Sequence, residues 1–122
     1  MAKRILIVED EKPFLDIYEA MLDDKGYITI CAYDGNEAME LVRQEKPDLI
    51  ITDIAMNVVS GDTFVLYLKG IPEYADIPVI VVSGFPQKDY KSLKEMDPKI
   101  VYIEKFNLTA KELLEEVENK LQ

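Results

Sequence analysis

Four polar residues each stand just past an apolar, strand-like run. They are Asp10 after Ile5-Leu6-Ile7-Val8, Asp53 after Leu49-Ile50-Ile51, Ser83 after Val79-Ile80-Val81-Val82, and Lys105 after Val101-Tyr102-Ile103. In an open parallel α/β sheet, ligands bind outside the carboxyl ends of the strands. Two acids, a hydroxyl and an amine at those ends converge on one small site, whose composition suits a divalent cation held together with a phosphoryl group. Glu9 adds a carboxylate beside Asp10. Clustered with Asp53, these acids repel one another unless a cation sits between them, and hard oxygen ligands with room for water suit Mg²⁺ or Mn²⁺. A strand-end carboxylate such as Asp53 can attack phosphorus to give an aspartyl phosphate. Such chemistry needs positioning and charge neutralisation more than acid–base work. Ser83 can donate its hydroxyl to a phosphoryl oxygen, and Lys105 offers a mobile point charge. Singly, each residue also fits a commoner role: an acidic turn, a strand-end cap, a turn serine, a surface lysine. Their joint placement at four strand ends carries the reading.

The elements that must position them alternate regularly. Strands are expected at 4–9, 28–33, 48–53, 78–83 and 100–104, and helices at 13–25, 36–46, 62–70, 87–96 and 109–121. Strict alternation predicts a parallel sheet covered by helices on both faces, and the strands are continuously apolar, as burial on both faces demands. Pro13 fits the first turn of helix one, whose apolar stripe is Phe14, Ile17, Tyr18, Met21 and Leu22, and Gly26 follows as a stop. Asp34-Gly35-Asn36 is turn chemistry ahead of helix two, with its stripe of Ala38, Leu41 and Val42. Thr109 is the expected N-cap of the last helix, with Glu112 completing a capping box. Leu113, Leu114, Val117 and Leu121 form that helix's buried side.

Composition narrows the function classes. With 122 residues the chain is expected to form one domain, 1–122, with a single good core. A formal net charge of −10 argues against nucleic acid or an anionic membrane surface as a partner. No apolar run approaches the roughly 18 residues of a membrane span, and Met1-Ala2-Lys3-Arg4 leads directly into a strand. The expected compartment is therefore the cytoplasm. Cys31, the single cysteine, cannot form an internal disulfide and reads as a small buried hydrophobe. The chain has no histidine, which excludes a Ser-His-Asp triad, a His-ligated zinc and an internal histidine phosphocarrier.

Over essentially its full length the chain resembles the receiver domain of two-component response regulators. The resemblance is carried by Ile5-Leu6-Ile7-Val8-Glu9-Asp10, Pro47-Asp48-Leu49-Ile50-Ile51-Thr52-Asp53-Ile54, Ile77-Pro78-Val79-Ile80-Val81-Val82-Ser83 and Tyr102-Ile103-Glu104-Lys105, in that order and spacing. It implies a flavodoxin-like (βα)5 fold, a doubly wound parallel sheet in strand order 2-1-3-4-5. It makes Asp53 the phosphoacceptor, and Glu9, Asp10 and Asp53 the metal carboxylates, joined by the backbone carbonyl of Ala55. Ser83, Gly84 and Lys105 would contact the phosphoryl group, and Ser83 and Tyr102 would act in the switch. A sensor histidine kinase or a histidine phosphotransfer protein would supply phosphohistidine. Because the sequence ends after helix five, output is expected through another protein or through a further domain outside this sequence.

Several positions depart from the family's pattern. Asn57 stands where a proline is common, Gly84 replaces the usual alanine after the hydroxyl, Phe106 follows the lysine in place of proline, and Phe85-Pro86-Gln87-Lys88-Asp89 is atypical. Phe14, Leu15, Phe106 and Leu108 border the expected site, and some of them are expected to form an apolar patch that docks a helical phosphotransfer partner. Ala55 and Phe85 would flank the phosphoryl group, with the Phe85 ring shielding it and slowing its hydrolysis. Other classes fit less well. A flavin carrier would place phosphate after strand one, where Glu9-Asp10-Glu11 would repel it. An aspartate-nucleophile phosphatase needs a second acid where Ala55 stands. A receiver-like module that binds proteins without phosphorylation is the main alternative.

Overall fold

Side-chain alternation along the strands decides how the layers of this protein form. The computed structural model describes residues 2–54, 60–84 and 91–122, apart from the side chains of Ser92 and Asn107. Its elements are β1 (Arg4–Val8), α1 (Lys12–Asp24), β2 (Ile28–Ala32), α2 (Gly35–Glu45), β3 (Leu49–Thr52), α3 (Gly61–Lys69), β4 (Val79–Ser83), α4 (Lys91–Met96), β5 (Val101–Glu104) and α5 (Ala110–Leu121). A single 3-10 turn, Lys105–Asn107, lies between β5 and α5. The strands are parallel, as the alternation predicts, and run in the order β2-β1-β3-β4-β5, as the family resemblance implies. Of the fourth expected helix, 87–96, residues 87–90 lie outside the described residues, and Lys91–Met96 is helical.

Each central strand feeds two cores. Ile5, Ile7, Leu49, Ile51, Ile80 and Val82 pack under α1 and α5 against Leu15, Tyr18, Leu22, Leu113 and Val117. Leu6, Val8, Ile50, Val79 and Val81 pack under α2, α3 and α4 against Ala38, Val42, Phe64, Val65, Leu68 and Leu93. This two-sided burial is why the central strands carry continuous apolar runs, Ile5 to Val8, Leu49 to Ile51 and Val79 to Val82, rather than alternating. Asp34 caps α2 by accepting from the Glu37 N–H at 2.8 Å, and Thr109 caps α5 by accepting from the Glu112 N–H at 3.1 Å. Each satisfies a backbone donor that a helix start otherwise leaves unpaired. Among the described residues, no helix is long and apolar enough to cross a membrane.

Two expectations need correction. The buried stripe of α1 is Leu15, Tyr18 and Leu22, while Phe14 and Met21 are half-buried and Ile17 is 54% exposed. Residues at i, i+3 and i+7 share the centre of one face, and Ile17 lies well off that axis. Cys31 is half-buried rather than core. Its Sγ donates to Glu19 Oε2 at 3.0 Å, and burial together with that carboxylate pushes the thiol pKa up to about 12.

Gly61 fixes the end of β3. A Cβ there would lie 1.8 Å from the carbonyl oxygen of Asp53 and 2.7 Å from the Ile54 Cα, so the start of α3 presses directly on the β3 terminus. The Gly61 N–H also donates to the Ile54 carbonyl at 2.7 Å. Gly61→Ala is therefore expected to lower unfolding stability by about 3 kcal/mol, at the upper end of overpacking costs. Urea unfolding of the variant beside the parent chain measures this directly.

Candidate functional site

The sheet register sets the first pair of acids. Val8 of β1 lies opposite Thr52 of β3. The ladder then runs one residue further: the Asp53 N–H donates to the Val8 carbonyl at 3.0 Å, and the Glu9 N–H donates to the Ala32 carbonyl at 2.9 Å. Glu9 and Asp53 thus leave neighbouring strand ends at the point where the strand order reverses, the ligand-binding crevice of such sheets. Asp53 is held from behind, where Thr52 Oγ1 donates to its carbonyl oxygen at 2.9 Å.

β5 delivers the counter-charge. Lys105 Nζ lies 2.7 Å from Glu9 Oε1, 2.8 Å from Glu11 Oε2 and 2.8 Å from Asp53 Oδ2. The three donors of the ammonium match these three carboxylates. The ring of Phe14 covers the same ammonium, with its centroid 4.2 Å from Nζ. Lys105, Glu9 and Asp53 are all buried. Burial alone would lower the lysine pKa, but hydrogen bonds to Asp53, Glu11 and Glu9 outweigh it and hold the group above its ordinary value. The ammonium is therefore charged at any ordinary pH.

The carboxylates have less compensation than they need. Glu9, Asp10 and Asp53 each offer an oxygen, and these atoms lie within 4.8 Å of one another. Burial pushes the Glu9 pKa up from 4.5 to about 7; the hydrogen bond from Lys105 opposes this, and the nearby charge of Asp53 adds to it. One ammonium does not neutralise this group, so a proton or a second cation is favoured there. A compact set of hard oxygen donors suits Mg²⁺.

The remaining expected residues divide. Ser83 is the last residue of β4, fully buried and opposite Glu104, and Gly84 follows it exposed. Tyr102 is half-buried and packs against the other core, under α2, α3 and α4. Ala55 and Phe85 lie outside the described residues. Of the four residues expected at a docking patch, Phe106 is 73% exposed, Phe14 and Leu108 are half-buried, and Leu15 is 3% exposed. Leu15 belongs to the core because it occupies the centre of the buried face of α1, so it supplies no docking surface. Glu11 and Phe14 emerge as partners of Lys105 that sequence reasoning did not assign. The run Glu9-Asp10-Glu11 was a signal for the first, whereas nothing in the sequence places Phe14 over an ammonium.

The pKa of Glu9 gives stability a definite pH dependence. Between pH 4.5 and about 7 the folded chain retains a proton on Glu9 that the unfolded chain releases. The unfolded state therefore binds fewer protons at this position, and the Glu9 contribution to stability falls as pH rises through that window. Urea unfolding in the presence of a chelator should show the stability of the wild type falling relative to Glu9→Gln across it. A difference that stays constant with pH would contradict the assignment.

Comparison with known proteins assigns the family. Residues 5–118 match the response regulator receiver domain family. The fold is similar to that of chemotaxis protein CheY4 of Vibrio cholerae, with TM-score 0.89 and 23% identity over 99% of this chain and 100% of that one. The signal receiver domain of a signal transduction histidine kinase from Syntrophus aciditrophicus is 32% identical, with TM-score 0.87 over 98% of this chain and 90% of that one. The N-terminal domain of a response regulator receiver protein from Methanoculleus marisnigri is 29% identical, with TM-score 0.76 over 98% and 95% of the two chains. The match across nearly the whole sequence, together with the shared strand order, makes this chain a member of the response regulator receiver family, the signalling modules of two-component systems.

Proposed function

We propose that this receiver accepts a phosphoryl group on Asp53 from a partner's phosphohistidine and thereby switches its interactions with other proteins. The observation that carries this reading is the Lys105 ammonium 2.8 Å from Asp53 Oδ2, with Glu9 and Asp10 adding carboxylate oxygens on the same strand-end rim. The donor is a sensor histidine kinase or a histidine phosphotransfer protein, since this chain has no histidine of its own. An Asp53 carboxylate oxygen attacks phosphorus as the donor's phosphorus–nitrogen bond breaks, and the electron pair returns to the imidazole. The carboxylates of Glu9, Asp10 and Asp53, with the carbonyl of Ala55, would hold Mg²⁺. When bound, the ion neutralises charge on the transferring group.

The chain's own residues do the positioning. Thr52 and Gly61 fix the Asp53 backbone, so the carboxylate is presented from a rigid strand end. Lys105 already contacts Asp53 and stabilises charge that builds on the phosphoryl oxygens. Ser83 and Gly84, at the end of β4, supply donors on the other side. Their shift toward the phosphoryl group favours one of two arrangements of the β4 end and Tyr102, which a partner reads. Phe106, with parts of Phe14 and Leu108, offers the donor protein an apolar edge beside the site.

Acetyl phosphate with Mg²⁺ tests the core of this reading by intact mass. The wild-type chain should gain one phosphoryl group and Asp53→Asn none, because an amide keeps the size of the side chain but removes its nucleophilic charge. A wild-type chain that stays unmodified while still capturing a partner would point to a phosphorylation-independent binding module instead.

Mg²⁺ titration tests the cation site separately. Asp10→Ala should weaken binding by about 100-fold or beyond detection, at least the loss seen when an outer partner of a metal ligand is removed. An unchanged affinity would reduce Asp10 to a turn residue.

A further inference from the structure

Phe106 is a large apolar side chain that is 73% exposed, yet its ring has two defined neighbours. One is Gly84. A Cβ at Gly84 would lie 2.6 Å from Phe106 Cε2, 3.3 Å from Cδ2 and 3.4 Å from Cζ. Gly84 does not have the positive φ that would itself call for glycine, so the space above it is what the ring uses. The other neighbour is Phe14, which meets Phe106 edge-to-face with centroids 6.2 Å apart and planes at 70°. Phe14 in turn lies over the Lys105 ammonium at 4.2 Å. Gly84 follows Ser83 at the end of β4 and Phe106 follows Lys105 at the end of β5, so this aromatic chain joins the two strand ends through α1.

We infer that Phe106 is a positioning residue: seated on Gly84, its ring holds Phe14 against the Lys105 ammonium and couples the end of β4 to the end of β5. An edge-to-face pair fixes the orientation of Phe14. A cation–π contact strengthens as water is excluded, so a fixed Phe14 holds the ammonium more firmly than a mobile one. A methyl group at position 84 would not break the backbone. It would push an exposed ring off its seat, because the atoms it meets are the outer edge of a side chain. The consequence for phosphorylation rests on the proposed function: movement of Ser83 toward a phosphoryl group shifts Gly84, and with it the seat that holds Phe14 over Lys105.

NMR of the chain without Mg²⁺ tests this independently of phosphorylation. Ring current from Phe106 should displace the Gly84 Hα signals; Phe106→Ala should remove that displacement and Phe106→Tyr should keep it. Exchange of the Lys105 ammonium protons with water should quicken by about two- to fivefold in Phe106→Ala and in Gly84→Ala, the factor that corresponds to an ordinary cation–π contact. The double variant should be no faster than either single one, departing from additivity by at least about twofold, as residues acting through one contact do. Absence of a ring-current displacement, additive effects, or Phe106→Tyr behaving like Phe106→Ala would each overturn the inference. The Phe106 pair decides the matter even if Gly84→Ala lowers stability. A parallel acetyl phosphate assay separates the two readings, since a wild type that takes no phosphoryl group counts against the proposed function and leaves the ring coupling to be judged by NMR.

Discussion

Removing an ammonium ion from water costs several kcal/mol unless carboxylates replace its hydration. Lys105 meets that condition with Glu9, Glu11 and Asp53, all within 2.8 Å. The reverse also holds: Glu9 and Asp53 are buried acids that lie close together because a cation lies between them. Strands β1, β3 and β5 are not all adjacent in the sheet, yet this interaction ties their ends together. It leaves an excess of negative charge on one rim, so the same residues that anchor the lysine demand a further positive partner. The anchoring of Lys105 and the site's affinity for a further cation thus come from one charge imbalance.

The backbone makes such a cluster affordable. Glu9 and Asp53 sit one residue past strands whose central side chains, Ile5 to Val8 and Leu49 to Ile51, are apolar and buried, so the sheet beneath them is firmly packed. Their own N–H groups remain in the ladder, which restricts the direction in which each carboxylate emerges. The close approach of Gly61 to the Asp53 carbonyl gives the β3 end little room to adjust. Preorganisation of this kind would remove reorganisation from the proposed phosphoryl transfer.

The architecture is legible in the sequence because two-sided burial leaves a signature: Leu49-Ile50-Ile51 and Val79-Ile80-Val81-Val82 have no polar face to confuse with a surface strand. The helix cap at Thr109 is equally local and is where the sequence places it, and the turn read at Asp34-Gly35-Asn36 supplies the cap of α2. The side of α1 is less legible. Leu15 and Ile17 are similar in chemistry, and only packing against β1 and α5 distinguishes the buried one from the exposed one. The acids and Lys105 are legible as a set because all end strands. Glu11 and Phe14 are not, since their roles depend on the path of a side chain that reaches back from a residue more than ninety positions away. Gly84 and Phe106 each look like a departure when taken alone, and their complementarity exists only in three dimensions.

β5 is an edge strand, hydrogen-bonded to β4 alone, and consecutive residues on it serve different compartments of the molecule. Ile103 belongs to the core beneath α1 and α5, Tyr102 to the one beneath α2, α3 and α4, and Lys105 continues from the strand's end into the acidic cluster. Lys105 and Tyr102 are joined by a short rod, the four-residue strand β5, whose side chains alternate between the two layers. A rod bound along one side only resists rotation about its long axis less than a strand bound along both. Torsion of β5, like that of the other edge strand β2, is therefore less restrained than torsion of β1, β3 or β4, and it moves side chains on the two faces in opposite senses.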